Sequence, residues 1–164
     1  MKANRTHPTV ASVQRIALSA FLAIGFAAAI PGAIFGQQGV EFGKIEDEGT
    51  AAYKKGSFAD AEKSFLDAQQ LAKSFPAGDE RIARTMNNLA LVYDAEGKNK
   101  EAEDLYKQSI ALKQAAEKPD YKAINATLNN LASLYKKLNR VPDALDVYKQ
   151  TLANAEKADG AESA

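Results

Sequence analysis

Cysteine is absent from the 164 residues, and the only histidine is His7. The chain therefore has no disulfide, no zinc ribbon, no thiol nucleophile and no lipid-bearing cysteine of the bacterial lipoprotein kind. Net charge is absent too, with 21 Lys plus Arg against 21 Asp plus Glu. Acids are missing altogether from residues 1–36, whose charges are Lys2, Arg5 and Arg15. What is present, 46% apolar and 26% charged residues with ten Gly and five Pro, is the composition of a folded soluble protein. It excludes collagen, wholesale disorder and a multispan membrane protein. These absences argue against most enzyme chemistry before any motif is read.

The chain has two unlike parts. From Ile16 to Phe35 run twenty uncharged residues, IALSAFLAIGFAAAIPGAIF, behind a basic leader. That is the order of a secretory signal peptide. Pro31 and Gly32 break the stretch, and a helix ending there leaves Ile34-Phe35-Gly36 extended for cleavage before Gln37. The alternative is an uncleaved single-pass anchor, since about 20 apolar residues can just span a bilayer. Residues 1–36 are thus expected as a signal peptide or anchor, placing the protein in the periplasm or outside the cell, with contact to a membrane only if the leader stays. Residues 37–164 hold 18 basic and 21 acidic groups, a surface with no general attraction for nucleic acid.

The second part repeats itself. Residues 85–112 read TMNNLALVYDAEGKNKEAEDLYKQSIAL and 127–152 read TLNNLASLYKKLNRVPDALDVYKQTL. At a fixed offset of 42, Asn87 matches Asn129, Asn88 Asn130, Leu89 Leu131, Ala90 Ala132, Tyr93 Tyr135, Ala102 Ala144 and Tyr106 Tyr148. A more divergent copy stands 41 residues upstream, with Gly49, Ala61, Phe65 and Ala68 at the places of Ala90, Ala102, Tyr106 and Ser109. Met86, Leu89, Ala90 and Tyr93 form a helical stripe, as do Leu128, Leu131, Ala132 and Tyr135. Breaks at Gly56-Ser57, Gly97-Lys98-Asn99 and Asn139-Arg140 suit left-handed helix ends. Second helices follow with stripes Ala102, Tyr106, Ile110 and Ala144, Tyr148, Leu152, the small residues allowing close approach and the tyrosines filling core. Asp79 and Asp120 stand ready to cap the next helices. Six helices result: an all-α chain of three helix-turn-helix repeats at about 42–76, 83–118 and 125–156, with a linker at 37–41 and a polar tail at 157–164.

Small residue, aromatic, Gly, Ala, aromatic, small residue over a helix pair resembles the tetratricopeptide repeat. The 42-residue period, Asn-Asn-Leu-Ala and the run Glu101 to Lys107 are similar to the longer kinesin light chain type. Repeat one departs, with Glu48 and Ala52 where Leu89 and Tyr93 stand, as suits a terminal repeat. The resemblance implies a right-handed α-solenoid whose first helices line a concave groove for a protein or peptide segment, with no cofactor and no catalysis.

Opposite the core stripe the first helices present Glu46, Thr50 and Tyr53, then Arg84, Asn87, Leu91 and Asp94, then Asn129, Ser133 and Lys136. An Asn amide both donates and accepts, so Asn87 and Asn129 can satisfy the backbone of an extended peptide, while Asn88 and Asn130 are expected to tie helix to helix. The clamp for chaperone C-terminal carboxylates needs Lys and Asn in the first repeat; Glu46 and Thr50 stand there, and an acid facing a carboxylate repels it, so recognition of a chaperone tail is not expected. The last second helix carries Leu145, Val147 and Leu152, a greasier end than the beginning. It is expected as a second contact face, for a back-to-back homodimer or a larger partner. Acidic runs at Glu46–Glu48 and Glu101–Asp104 sit at helix beginnings, where they favour the dipole, and no metal site is expected.

Overall fold

The computed structural model describes residues 31–162, with side chains from Gly36 to Ala158. The chain divides into two units, Met1–Gly36 and Gln37–Ala164. Among the described residues there are six α-helices and no strands: α1 Pro31–Lys54, α2 Phe58–Ala72, α3 Glu80–Ala95, α4 Asn99–Gln114, α5 Tyr121–Lys137 and α6 Val141–Glu162. The expected leader lies largely outside the described residues. Where it reaches them, Pro31 to Gly36 are helical rather than extended. Residues 37–41 likewise continue α1 instead of forming a linker, and 157–162 continue α6 instead of forming a tail. Ala, Glu and Lys there are good helix formers.

Each repeat turns over in the same way. Gly56, Gly97 and Asn139 take φ of 76°, 78° and 58°. The next residue reaches back across the turn, Ser57 N–H to the Ala52 carbonyl at 3.0 Å, Lys98 to Tyr93 at 2.8 Å and Arg140 to Tyr135 at 2.8 Å. These bonds close a Schellman turn, which satisfies carbonyls the helix end would leave bare. Between repeats, Asp79 accepts from Arg81 N–H and Asp120 from Ala123 N–H, each at 3.0 Å, so both helices begin capped as expected.

Small residues set the helix spacing. Ala61, Ala90, Ala102 and Ala132 are fully buried. Gly49 replaces alanine in α1, where a Cβ would stand 2.8 Å from the buried Phe65 ring. The larger phenylalanine ring environment of α1, with Phe42 edge-on to Phe75 at 5.4 Å, fills the first repeat. Tyr106, Ile124, Leu128, Leu131, Leu134, Tyr135 and Val147 join the core of repeats two and three. Helices α3 and α4 pair, α5 and α6 pair, and α2 leans on α3 as α4 leans on α5. The first helices also meet directly, α3 against α5 and α1 against α3 through Glu46, which accepts from Arg84 and Asn88, so α1, α3 and α5 form one row.

Two expected assignments change at the far end, one from core to surface and one from contact face to core. Tyr148 is 41% exposed although its counterpart Tyr106 is fully buried. The reason is coverage: α5 lies over Tyr106, and among the described residues no helix follows α6. Val147 is not part of an exposed face; it is 5% exposed and packs in the core. It sits two residues from Leu145, and two helical residues turn about 200°, which points it at α5.

Candidate functional site

The row of first helices is held by a ladder of polar bonds. Asn88 Nδ2 donates to Glu46 Oε1 at 3.3 Å, and Asn130 Nδ2 donates to Asn87 Oδ1 at 3.2 Å. These contacts are equivalent, because Glu46, Asn87 and Asn129 share one repeat position and Asn88 and Asn130 the next. Asn88 and Asn130 thus tie helix to helix. Asn87 joins them, also donating to Asn88 Oδ1 at 3.4 Å. Glu46 is 7% exposed and ion-paired to Arg84 at 2.7 Å, so it offers no free acid to a ligand. The repulsion expected to turn carboxylate tails away therefore does not arise from this residue.

The other row residues fall into two groups. Asp94 is half-buried and takes Lys137 Nζ at 2.8 Å, while Leu91 leans on the core and Tyr53 tilts against Phe58 with ring centres 5.6 Å apart. Thr50 is half-buried, Arg84 is exposed, and Asn129, Ser133 and Lys136 are exposed. The structure therefore brings Glu46, Arg84, Asn87 and Asp94 into the joints between repeats. It leaves parts of Thr50, Tyr53 and Leu91, with all of Asn129, Ser133 and Lys136, on the surface. On α6, Leu145 is 54% and Leu152 63% exposed.

A second set of joint residues was not singled out from the sequence. Glu103, at the start of α4, accepts from Lys107 at 2.6 Å, Arg140 at 2.6 Å and the Tyr135 hydroxyl at 2.9 Å. Burial alone would raise its carboxyl, but those three donors outweigh burial and hold it at about 2. The Arg140 guanidinium lies 4.3 Å from the Tyr135 ring centre. The same staple joins repeats one and two: Lys98 pairs with Glu62 at 3.2 Å and sits 4.7 Å from the Tyr93 ring centre. Burial first, then the adjacent Glu62, raises the Tyr93 hydroxyl. The signal was available in the sequence, as Glu62 and Glu103 are 41 apart and Lys98 and Arg140 are 42 apart.

A cavity of about 290 Å³ opens at the other edge, between the beginnings of α3 and α5 and the end of α4. Its amine, Lys113, is spent on the fold, donating to the Ala123 carbonyl at 3.1 Å and Thr127 Oγ1 at 2.7 Å. Desolvation lowers its pKa.

Repeated helix pairs, one shared turn and a polar ladder along one row define an all-α repeat solenoid. The chain carries tetratricopeptide repeats: residues 46–115 and 127–161 each match a family model described as tetratricopeptide repeat. Among solved structures it is similar to the N-terminal domain of stress-induced protein-1 (STI-1) from C. elegans, with 24% identity and a TM-score of 0.57 over 71% of this chain and 86% of that one. It is also similar to a Podosopora anserina protein named for kinesin light chain and for nearly identical TPR-like repeats. There the identity is 17% and the TM-score 0.61, over 85% of this chain and 63% of that one. No curated protein sequence matches the chain.

Proposed function

We propose that the chain is an exported binding module that holds a segment of a partner protein along the row formed by α1, α3 and α5. One observation carries the reading. The row ties Glu46, Arg84 and Asp94 into joints and leaves Thr50, Tyr53, Leu91, Asn129, Ser133 and Lys136 as a surface of hydroxyl, amide, aromatic and aliphatic groups with a single amine. Such a surface suits an extended segment of mixed or apolar character, whose backbone needs donors and acceptors and whose side chains need apolar contact. Asn129 is the freest of these amides, with no hydrogen-bond partner among the described residues. Asn129→Arg together with Ser133→Arg, both at exposed positions, would obstruct the row without touching the core. The expected result is loss of the co-purified partner with an unchanged circular-dichroism spectrum; a partner retained at full yield overturns the reading.

Export rests on the basic, acid-free leader and its apolar stretch. Among the described residues no helix is long and apolar enough to cross a membrane, so the anchored alternative depends wholly on the segment before them. Intact-mass measurement on exported material is expected to give a chain beginning near Gln37. A full-length mass in a salt-resistant membrane fraction establishes the anchor instead.

A further inference from the structure

The two joints inside the molecule show what a helix needs in order to sit on the end of a repeat, and the end of repeat three is a copy of the same seat on which no helix lies among the described residues. Both seated helices share the first two of the following contacts, and α5 adds the third. A leucine is buried over the Ala and aromatic residue of the preceding second helix: Leu89 packs with Ala61 and Phe65, and Leu131 shares a core with Ala102 and Tyr106. An asparagine donates to the ladder position, as Asn88 does to Glu46 and Asn130 to Asn87. A charge near the helix end meets its opposite, as Lys137 meets Asp94 at 2.8 Å.

At the open end the corresponding places are Ala144 and Tyr148, Asn129, and Lys136. Leu145 replaces the staple acid of Glu62 and Glu103. Val141, Leu145, Tyr148 and Leu152, spaced i, i+4, i+7 and i+11, are between 41% and 63% exposed. They make one stripe of α6 with an exposed apolar area on the order of 400 Å², the size of the largest patch on an ordinary monomer and often a functional one.

The geometry points to this face as the seat of an amphipathic helix from a partner protein. That helix has an apolar stripe over Tyr148, an aliphatic side chain over Leu145, an amide or other donor opposite Asn129, and an acid near its C-terminal end opposite Lys136. Charge complementarity fixes the last feature, since Lys136 stands where Asp94 does and has no ion pair among the described residues. The chain's own first helix does not fit. In that register it would bring Lys54 against Lys136, Asp47 in place of the donor, and Glu48 in place of the buried leucine. Like charges and a buried unpaired acid rule out head-to-tail stacking of copies.

The test uses a probe built from the molecule's own seated helix: a labelled, end-capped peptide of residues 121–138 carrying Tyr135→Leu and Lys137→Glu, titrated against the full chain by fluorescence anisotropy. The control peptide keeps Lys137. The acidic peptide is expected to bind the parent chain at least about tenfold more tightly than the control. Lys136→Glu in the protein should reverse that preference, and Leu145→Lys should abolish binding of both. Both substituted positions, Lys136 and Leu145, are exposed, so unchanged circular dichroism shows the variants fold. Failure of the acidic peptide to bind, or binding that ignores both substitutions, overturns the proposal. So does sedimentation showing a dimer that Leu145→Lys dissociates, because a second copy would then own the face.

Discussion

The Tyr106 hydroxyl is buried with no hydrogen-bond partner among the described residues, and burial raises its pKa. Phe65 occupies the same repeat position and lacks the hydroxyl. An unsatisfied buried hydroxyl costs about 1 to 3 kcal/mol, so Tyr106→Phe is expected to raise the melting temperature by a few degrees in calorimetry. Gly49→Ala should do the opposite. Its Cβ would stand 2.8 Å from the Phe65 ring, which is 2% exposed and has no room to swing. Overpacking of this kind costs roughly 1 to 3 kcal/mol. The same range applies to Ala102→Leu and Ala144→Leu, at 0% and 2% exposure. Melts of either that match the parent would show the second-helix core face to be misplaced.

Between elements, the Glu103 staple gives the chain an acid-sensitive joint. The carboxyl is held near 2 in the folded protein against an ordinary 4.5, so the folded state binds its proton more weakly than the unfolded state. Its contribution is complete above pH 4.5 and is lost as pH falls toward 2. Parent and Glu103→Gln melts should therefore differ most above pH 4.5 and converge near pH 2; a difference that stays constant over that interval would remove Glu103 as the cause. Element order was largely legible beforehand. Helix-ending Gly56, Gly97 and Asn139 and the capping Asp79 and Asp120 act through a few neighbouring bonds, so local sequence specifies them. The staples and the ladder were less legible, because they join residues some 32 to 43 positions apart. Two side chains such as Asn87 and Asn129 are identical in sequence, yet one meets a following helix and the other does not. Helical phase likewise decides that Val147 is core while Leu145 is surface, a distinction blurred when both were read as one greasy end.

At the scale of the molecule the core is uneven. Among the described residues, twelve buried residues form one cluster across repeats two and three, while repeat one holds a cluster of four, Phe42, Ala68, Ala72 and Phe75, and shares another, Ala61, Phe65, Leu89 and Val92, with repeat two. In a solenoid, stability sums over repeats and the joints between neighbours. Native-state hydrogen exchange should accordingly find α4 to α6 most protected and α1 with α2 opening first; uniform protection would mean the three repeats unfold as one unit. The staple carries a further consequence, for how such a chain could lengthen. Repeat two supplies an acceptor for the repeat after it, Glu103, and a donor for the repeat before it, Lys98. A duplicate of residues 79–120 spliced in beside the original would meet matching halves on both sides. The same duplicate appended after α6 would find Leu145 where an acid is required. Lengthening by duplication therefore keeps every staple closed in the middle of the molecule and leaves one unmade beside α6, where Leu145 offers no acceptor.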